Sequence, residues 1–178
     1  GLNRTHSFSV NPHKMLNTPI STSIIVTNHN ECLVNTFSNE AEYLYQTSSD
    51  EHNLGKISMQ CGRRNDALKL WTLWKRLGTT GLEKLVDHQF ALADVARDYI
   101  NQNEDYTLFS FENSISVCFN YKDIPANKIC TLLYEHEALM VGYGSFQDTE
   151  FIRLVTINAD NGTQDILNIF KVIEDFVA

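Results

Sequence analysis

Residues 7–10 (Ser-Phe-Ser-Val) alternate small polar with apolar, a period-two pattern that predicts a short strand. Pro12 ends its pairing because it has no N–H to donate. Residues 20–26 are rich in β-branched side chains and predict a buried strand that pairs with the first. Asn28, His29 and Asn30 make a turn. Residues 38–47 are ambiguous, with Ala41, Leu44 and Tyr45 at helical spacing but Thr47 breaking it. Residues 48–58 form a polar loop around Gly55. From 66 to 77 the period becomes helical, with Ala67, Leu70, Trp71, Trp74 and Leu77 making one face whose packing against a core would account for both tryptophans. Asn65 suits the N-cap, and Gly78 the left-handed residue that ends a helix. Thr80 and Glu83 spell a capping box for a second helix, with a stripe of Leu82, Leu85, Val86, Ala93, Ala96, Tyr99 and Ile100.

After residue 103 the pattern returns to period two. Residues 106–111 and 114–121 predict a hairpin that turns at Glu112-Asn113, with Ile115, Val117, Phe119 and Tyr121 on one face. Pro125 opens a helix carrying Ile129, Leu132, Leu133 and Met140. Short strands follow at 141–144 and 151–157. Thr163 then caps a last helix with Ile166, Phe170, Ile173 and Val177 inward. The order β-β-α-β-β-α predicts an α+β domain with helices on one face of an antiparallel sheet.

Composition narrows what this fold can do. The chain has 178 residues, of which 43% are hydrophobic, enough for a core. A formal charge of −8 argues against a nucleic-acid partner, since phosphate binding needs a basic face. No apolar run reaches the roughly 18–20 residues that span a bilayer, and no signal peptide opens the chain. We therefore expect neither a nucleic-acid nor a membrane partner. Cys32, Cys61, Cys118 and Cys130 form no CxxC pair, so reduced thiols in a cytoplasmic protein are expected. Glu135, His136 and Glu137 are adjacent rather than a turn apart, which suits a solvated face better than a metal. The chain starts at Gly1 and enters a strand within a few residues, so it is expected to be a piece of a longer protein.

Two residues stand out for chemistry. Lys14 follows Asn11-Pro12-His13 where a strand runs into a loop, the place where functional groups of α/β folds gather. Arg153 shares a strand face with Phe151, Val155 and Ile157. If that face packs inward, the guanidinium needs a carboxylate or phosphate opposite it, either in an internal salt bridge or in a ligand.

Residues 7–15 (Ser-Phe-Ser-Val-Asn-Pro-His-Lys-Met) closely resemble the cofactor-lysine segment of the group II pyridoxal-phosphate-dependent amino-acid decarboxylases. Tyr43-Leu44-Tyr45-Gln46, then Gln60-Cys61-Gly62-Arg63 running into Leu68-Lys69-Leu70-Trp71, then Phe151-Ile152-Arg153 match in the same order. The likeness covers essentially the whole chain and the last third or so of such an enzyme. It implies an α/β fold class, as the C-terminal portion of a fold-type I enzyme. Residues 1–62 would end the large cofactor domain, 63–103 would be linking helices and 104–178 the small α+β domain.

The resemblance implies pyridoxal 5'-phosphate as cofactor and Lys14 as its Schiff-base lysine. Ser7, Asn11 and His13 would lie at the phosphate, with Gly62 and Arg63 near the active site of the partner subunit in a homodimer. Arg153, and with it Arg63, would bind a substrate carboxylate. The loop at 48–58 would close over the substrate. There His52 falls where many members carry a tyrosine that protonates the substrate carbon, so it is either the proton donor or a plain loop residue. His6 also departs from the aspartate or asparagine usual before Ser7. The remaining cofactor contacts would come from a missing N-terminal segment. The expected reaction is decarboxylation of a small acidic amino acid, namely glutamate, aspartate or cysteine sulfinate. The competing readings are an aldehyde-synthase variant and a catalytically inactive remnant that serves dimerisation.

Overall fold

The first alternating run does form a strand. β1 (Ser7–Val10) pairs antiparallel with β2 (Ile24–Thr27), Ser7 opposite Thr27 and Val10 opposite Ile24. The computed structural model describes residues 1–29, 31–38, 54–60, 62 and 64–177, and contacts divide the chain into two units. The first unit is residues 1–13 with 18–76, and the second is residues 14–17 with 77–178.

In the first unit the pairing of the two strands is as the sequence predicts, but the expected burial is not. Ile25 and Val26 are each 57% exposed, because this sheet has two strands and carries side chains on both faces. A six-residue helix, α1 (Cys32–Phe37), follows in a stretch for which the sequence pattern predicted no element. The apolar face predicted at 66–77 does form on a helix, yet Trp71 and Trp74 are 57% and 48% exposed, so that face is only partly covered. Helical periodicity marks a face without saying what covers it. The Lys75 ammonium lies 5.8 Å from the centre of the Trp71 ring, an exposed cation–π contact.

That helix belongs to α2 (Asp66–Asn101), which is broken at Gly78 (φ 68, ψ 177) where the sequence placed its stop. A side chain strains such a backbone, so glycine is needed there. Asn65 caps the start as expected, its Oδ1 accepting the Leu68 N–H at 3.3 Å.

The second unit is a four-stranded antiparallel sheet with helices on one face. β3 (Tyr106–Leu108), β4 (Ser116–Tyr121), β5 (Gly142–Phe146) and β6 (Thr149–Val155) stand in the order β3-β4-β6-β5. The predicted hairpin is shorter than its pattern, and its connection spans residues 109–115 instead of a tight turn. In β4, Val117, Phe119 and Tyr121 are buried, as the alternation requires. They meet α3 (Ala126–Glu135), α4 (Thr163–Val177) and the part of α2 after Gly78 in one core, with Phe119 5.4 Å and Tyr99 4.6 Å from Phe170 between ring centres. The predicted inward positions Ile129, Leu133, Ile166, Phe170 and Ile173 are all buried, whereas Met140 lies beyond the end of α3 and is exposed.

Arg97 and Glu174 are paired beside this core. Arg97 donates to Asp94 Oδ1 at 2.6 Å and to the Ser114 carbonyl at 2.7 Å. Glu174 accepts the hydroxyls of Tyr99 at 2.7 Å and Tyr106 at 3.1 Å. Cys32, Cys118 and Cys130 are free thiols. Among the described residues no helix is long and apolar enough to cross a membrane.

Two stability measurements follow. Gly78→Ala should destabilise the protein by about 1–3 kcal/mol, seen as a lower urea midpoint, because alanine cannot relax into that backbone region. Burial, then the bond to Glu174, push Tyr99 up to about 12. The unfolded chain releases this proton near pH 10 while the folded chain keeps it, so the stability held below pH 10 falls as pH rises toward 12. In Tyr99→Phe that decline should be shallower in pH-dependent denaturation.

Candidate active site

β1 delivers its last residues into a turn tied down through the backbone. Pro12 and Thr22 are buried, and the Pro12 carbonyl accepts the Thr18 N–H at 3.2 Å. The His13 ring is half-buried with Nδ1 against the Thr22 backbone, 2.6 Å from its carbonyl oxygen and 3.0 Å from its nitrogen. Whichever tautomer holds, Nε2 is the ring atom left to meet a ligand. Asn11 is treated similarly. Its Oδ1 accepts the Ser23 hydroxyl at 2.6 Å, and its amide nitrogen has no partner among the described residues. Ser7 opens the same strand four residues earlier, about 13 Å away along the backbone at the usual strand rise.

Lys14 is exposed, and its amine has no hydrogen-bond or ion-pair partner among the described residues. Its backbone is fixed nonetheless, for the Lys14 carbonyl accepts the Asn17 N–H at 3.0 Å, with Asn17 at positive φ. Next to it, the Met15 carbonyl accepts the side-chain N–H of Gln89, a fully buried residue of α2, at 2.8 Å. Two neighbouring carbonyls of the turn are therefore used while the amine remains available.

Arg153 requires a correction. The buried face of β6 is Ile152 and Leu154, continued by Thr156, so Arg153 stands on the opposite, helix-free face and is exposed. It is not a buried charge that demands a partner. It is nevertheless oriented, because Nε and Nη2 both donate to Ser116 Oγ, at 3.2 and 3.0 Å, across the β4–β6 pairing. That occupies one edge of the guanidinium and leaves the Nη1/Nη2 edge for a planar anion. Cys118 sits directly opposite Arg153; burial pushes its thiol up, and the nearby guanidinium pulls it back.

Gly62 is exposed, with open space around it. His52 and Arg63 lie outside the described residues. Asn11 and His13 stand just past the end of β1, and Lys14 follows His13 in the chain. Sequence reasoning missed the supporting residues Ser23, Thr22, Ser116 and Gln89. Only Gln89 left a signal, as a glutamine three residues after Val86 and four before Ala93, inside an otherwise apolar stripe.

Comparisons with known proteins extend this picture. Residues 1–122 match the pyridoxal-dependent decarboxylase conserved domain. The chain is 38% identical over 125 residues to the acidic amino acid decarboxylase GADL1 of Mus musculus, covering 68% of this chain and 23% of that protein. It is 33% identical over 125 residues to the L-aspartate decarboxylase dtxS4 of Metarhizium robertsii, covering 68% of this chain and 25% of that one. The crystal structure of mouse CSAD superposes with a TM-score of 0.82 at 26% identity, over 99% of this chain and 40% of that one. The chain thus spans about a quarter of the length of these two curated relatives over the matched region.

Proposed function

The chain belongs to the pyridoxal-dependent decarboxylase family, with the fold of the C-terminal part of such enzymes, and from that premise we propose that the full-length protein removes carbon dioxide from a small acidic amino acid such as aspartate, glutamate or cysteine sulfinate. The observation that carries the reading is the state of three adjacent groups. The Asn11 acceptor atom that could repel an anion is turned into a protein contact, the His13 ring is fixed through Nδ1, and the Lys14 amine has no partner among the described residues.

These residues fit pyridoxal 5'-phosphate. Asn11 Nδ2 and, with a proton on Nε2, His13 would donate to its phosphate, and Lys14 would be the amine for its aldehyde. When bound, the cofactor supplies an electron-accepting ring for the pair left behind by the departing carboxylate. Lys14 would hold the cofactor at its aldehyde group and yield that position to the substrate amine. Arg153 holds a substrate carboxylate through its open edge, the geometry in which two parallel N–H groups face two oxygens. Acidic substrates are favoured because the names of two relatives specify them, acidic amino acid and L-aspartate decarboxylase. A homodimer, with residues 62 and 63 near the partner's site, and an N-terminal segment that completes the cofactor pocket belong to the same proposal.

Borohydride reduction of the full-length protein with pyridoxal phosphate, followed by peptide mapping, should place the adduct on Lys14. Lys14→Ala should lose both adduct and turnover, and an adduct on another lysine would sink the assignment. Arg153→Met should raise KM for aspartate about 10–100-fold, the loss of a charged hydrogen bond worth about 1.5–3 kcal/mol, with the adduct on Lys14 retained.

A further inference from the structure

Glutamine is seldom fully buried, yet Gln89 has no exposed surface. Its side-chain N–H donates to the Met15 carbonyl at 2.8 Å, one residue beyond Lys14. Its main-chain oxygen accepts the Thr156 hydroxyl at 2.8 Å. Thr156 lies just past β6, three residues from Arg153, and continues that strand's pairing by donating its N–H to the Ile115 carbonyl at 3.0 Å. One residue of α2 is therefore bonded both to the turn that carries the amine and to the strand that carries the guanidinium.

Fold stability alone does not select this side chain. Gln89 Oε1 is buried and makes no hydrogen bond among the described residues, so the amide costs free energy on its oxygen side that an apolar side chain of equal length would not. Its neighbours along the helix, Leu92, Ala93 and Ala96, are the apolar residues that such a core position ordinarily takes. What only a donor can supply here is the bond to Met15.

We propose that Gln89 is a positioning residue, which fixes the backbone at Lys14–Met15 against β6 and so sets the separation between the Lys14 amine and the Arg153 guanidinium. The inference rests on the roles proposed for those two residues. A substrate anchored by its carboxylate must present its own amine to the atom that Lys14 holds. An error of about 1 Å in that spacing can cost about 100-fold in rate.

The test uses the full-length enzyme with pyridoxal phosphate and the variant Gln89→Met, which keeps the length and removes the donor. Hydrogen exchange at the Asn17 amide, bonded to the Lys14 carbonyl, should quicken. With the Lys14 adduct retained, kcat per folded, cofactor-loaded enzyme should fall about 10–100-fold. A merely structural role would shift the urea midpoint and leave kcat of the folded enzyme as in wild type. Should Gln89→Met not fold, Thr156→Val decides, since it cuts the bond from β6 to Gln89 and preserves side-chain shape. It should lower kcat/KM at least 5-fold with the Lys14 adduct intact. Wild-type kinetics in the deciding variant overturn the inference and leave the proposed function standing. Absence of a Lys14 adduct in the wild type overturns the proposed function itself.

Discussion

A sheet that packs helices on one face must send alternate side chains to the other, and this constraint sets the chemistry of the second unit. Val117, Phe119, Ile152 and Leu154 go inward to meet α2, α3 and α4. Ser116, Cys118 and Arg153 consequently go outward, with no choice left to them by the pleat. Ser116 and Arg153 become neighbours because the β4–β6 register sets Cys118 opposite Arg153 and Ser116 opposite Val155. The hydroxyl then orients the guanidinium without neutralising it. A carboxylate at Ser116 would have produced an internal ion pair and closed the arginine to any ligand.

The turn after β1 fixes the backbone at Lys14 while its amine has no partner among the described residues. Every fixed contact there goes through the backbone or through atoms other than the donors a ligand would need. Thr22 takes His13 Nδ1, Ser23 takes Asn11 Oδ1, and Asn17 and Gln89 take the carbonyls of Lys14 and Met15. A long, flexible lysine side chain loses its rotamer freedom only when it reacts, so anchoring its main chain is the economical way to limit where the amine can reach.

Much of the fold was legible in the sequence, and the reasons differ from element to element. The helix stop at Gly78 could be read because one residue type tolerates that backbone. The inward faces of α4 and β4 could be read because each has a single apolar stripe. α1 could not, since six residues without a cap or stripe carry no periodic signal. The exposed Trp71 and Trp74 show the same limit from the other side, for an apolar face records an affinity for cover and not its presence.

The candidate site could be read in the sequence: Asn11, His13 and Lys14 fall within one four-residue stretch, and such a motif needs no folding to be recognised. The fate of Arg153 did not lie there. Both parities of β6 are apolar, Phe151 and Val155 against Ile152 and Leu154, so alternation alone cannot say which faces the core. Only docking of the helices decided it, because burial is a property of what packs against a strand and not of the strand. The link from Gln89 to Met15 joins residues 74 positions apart in the chain, a distance over which local patterns carry no information and only the folded path of the backbone does.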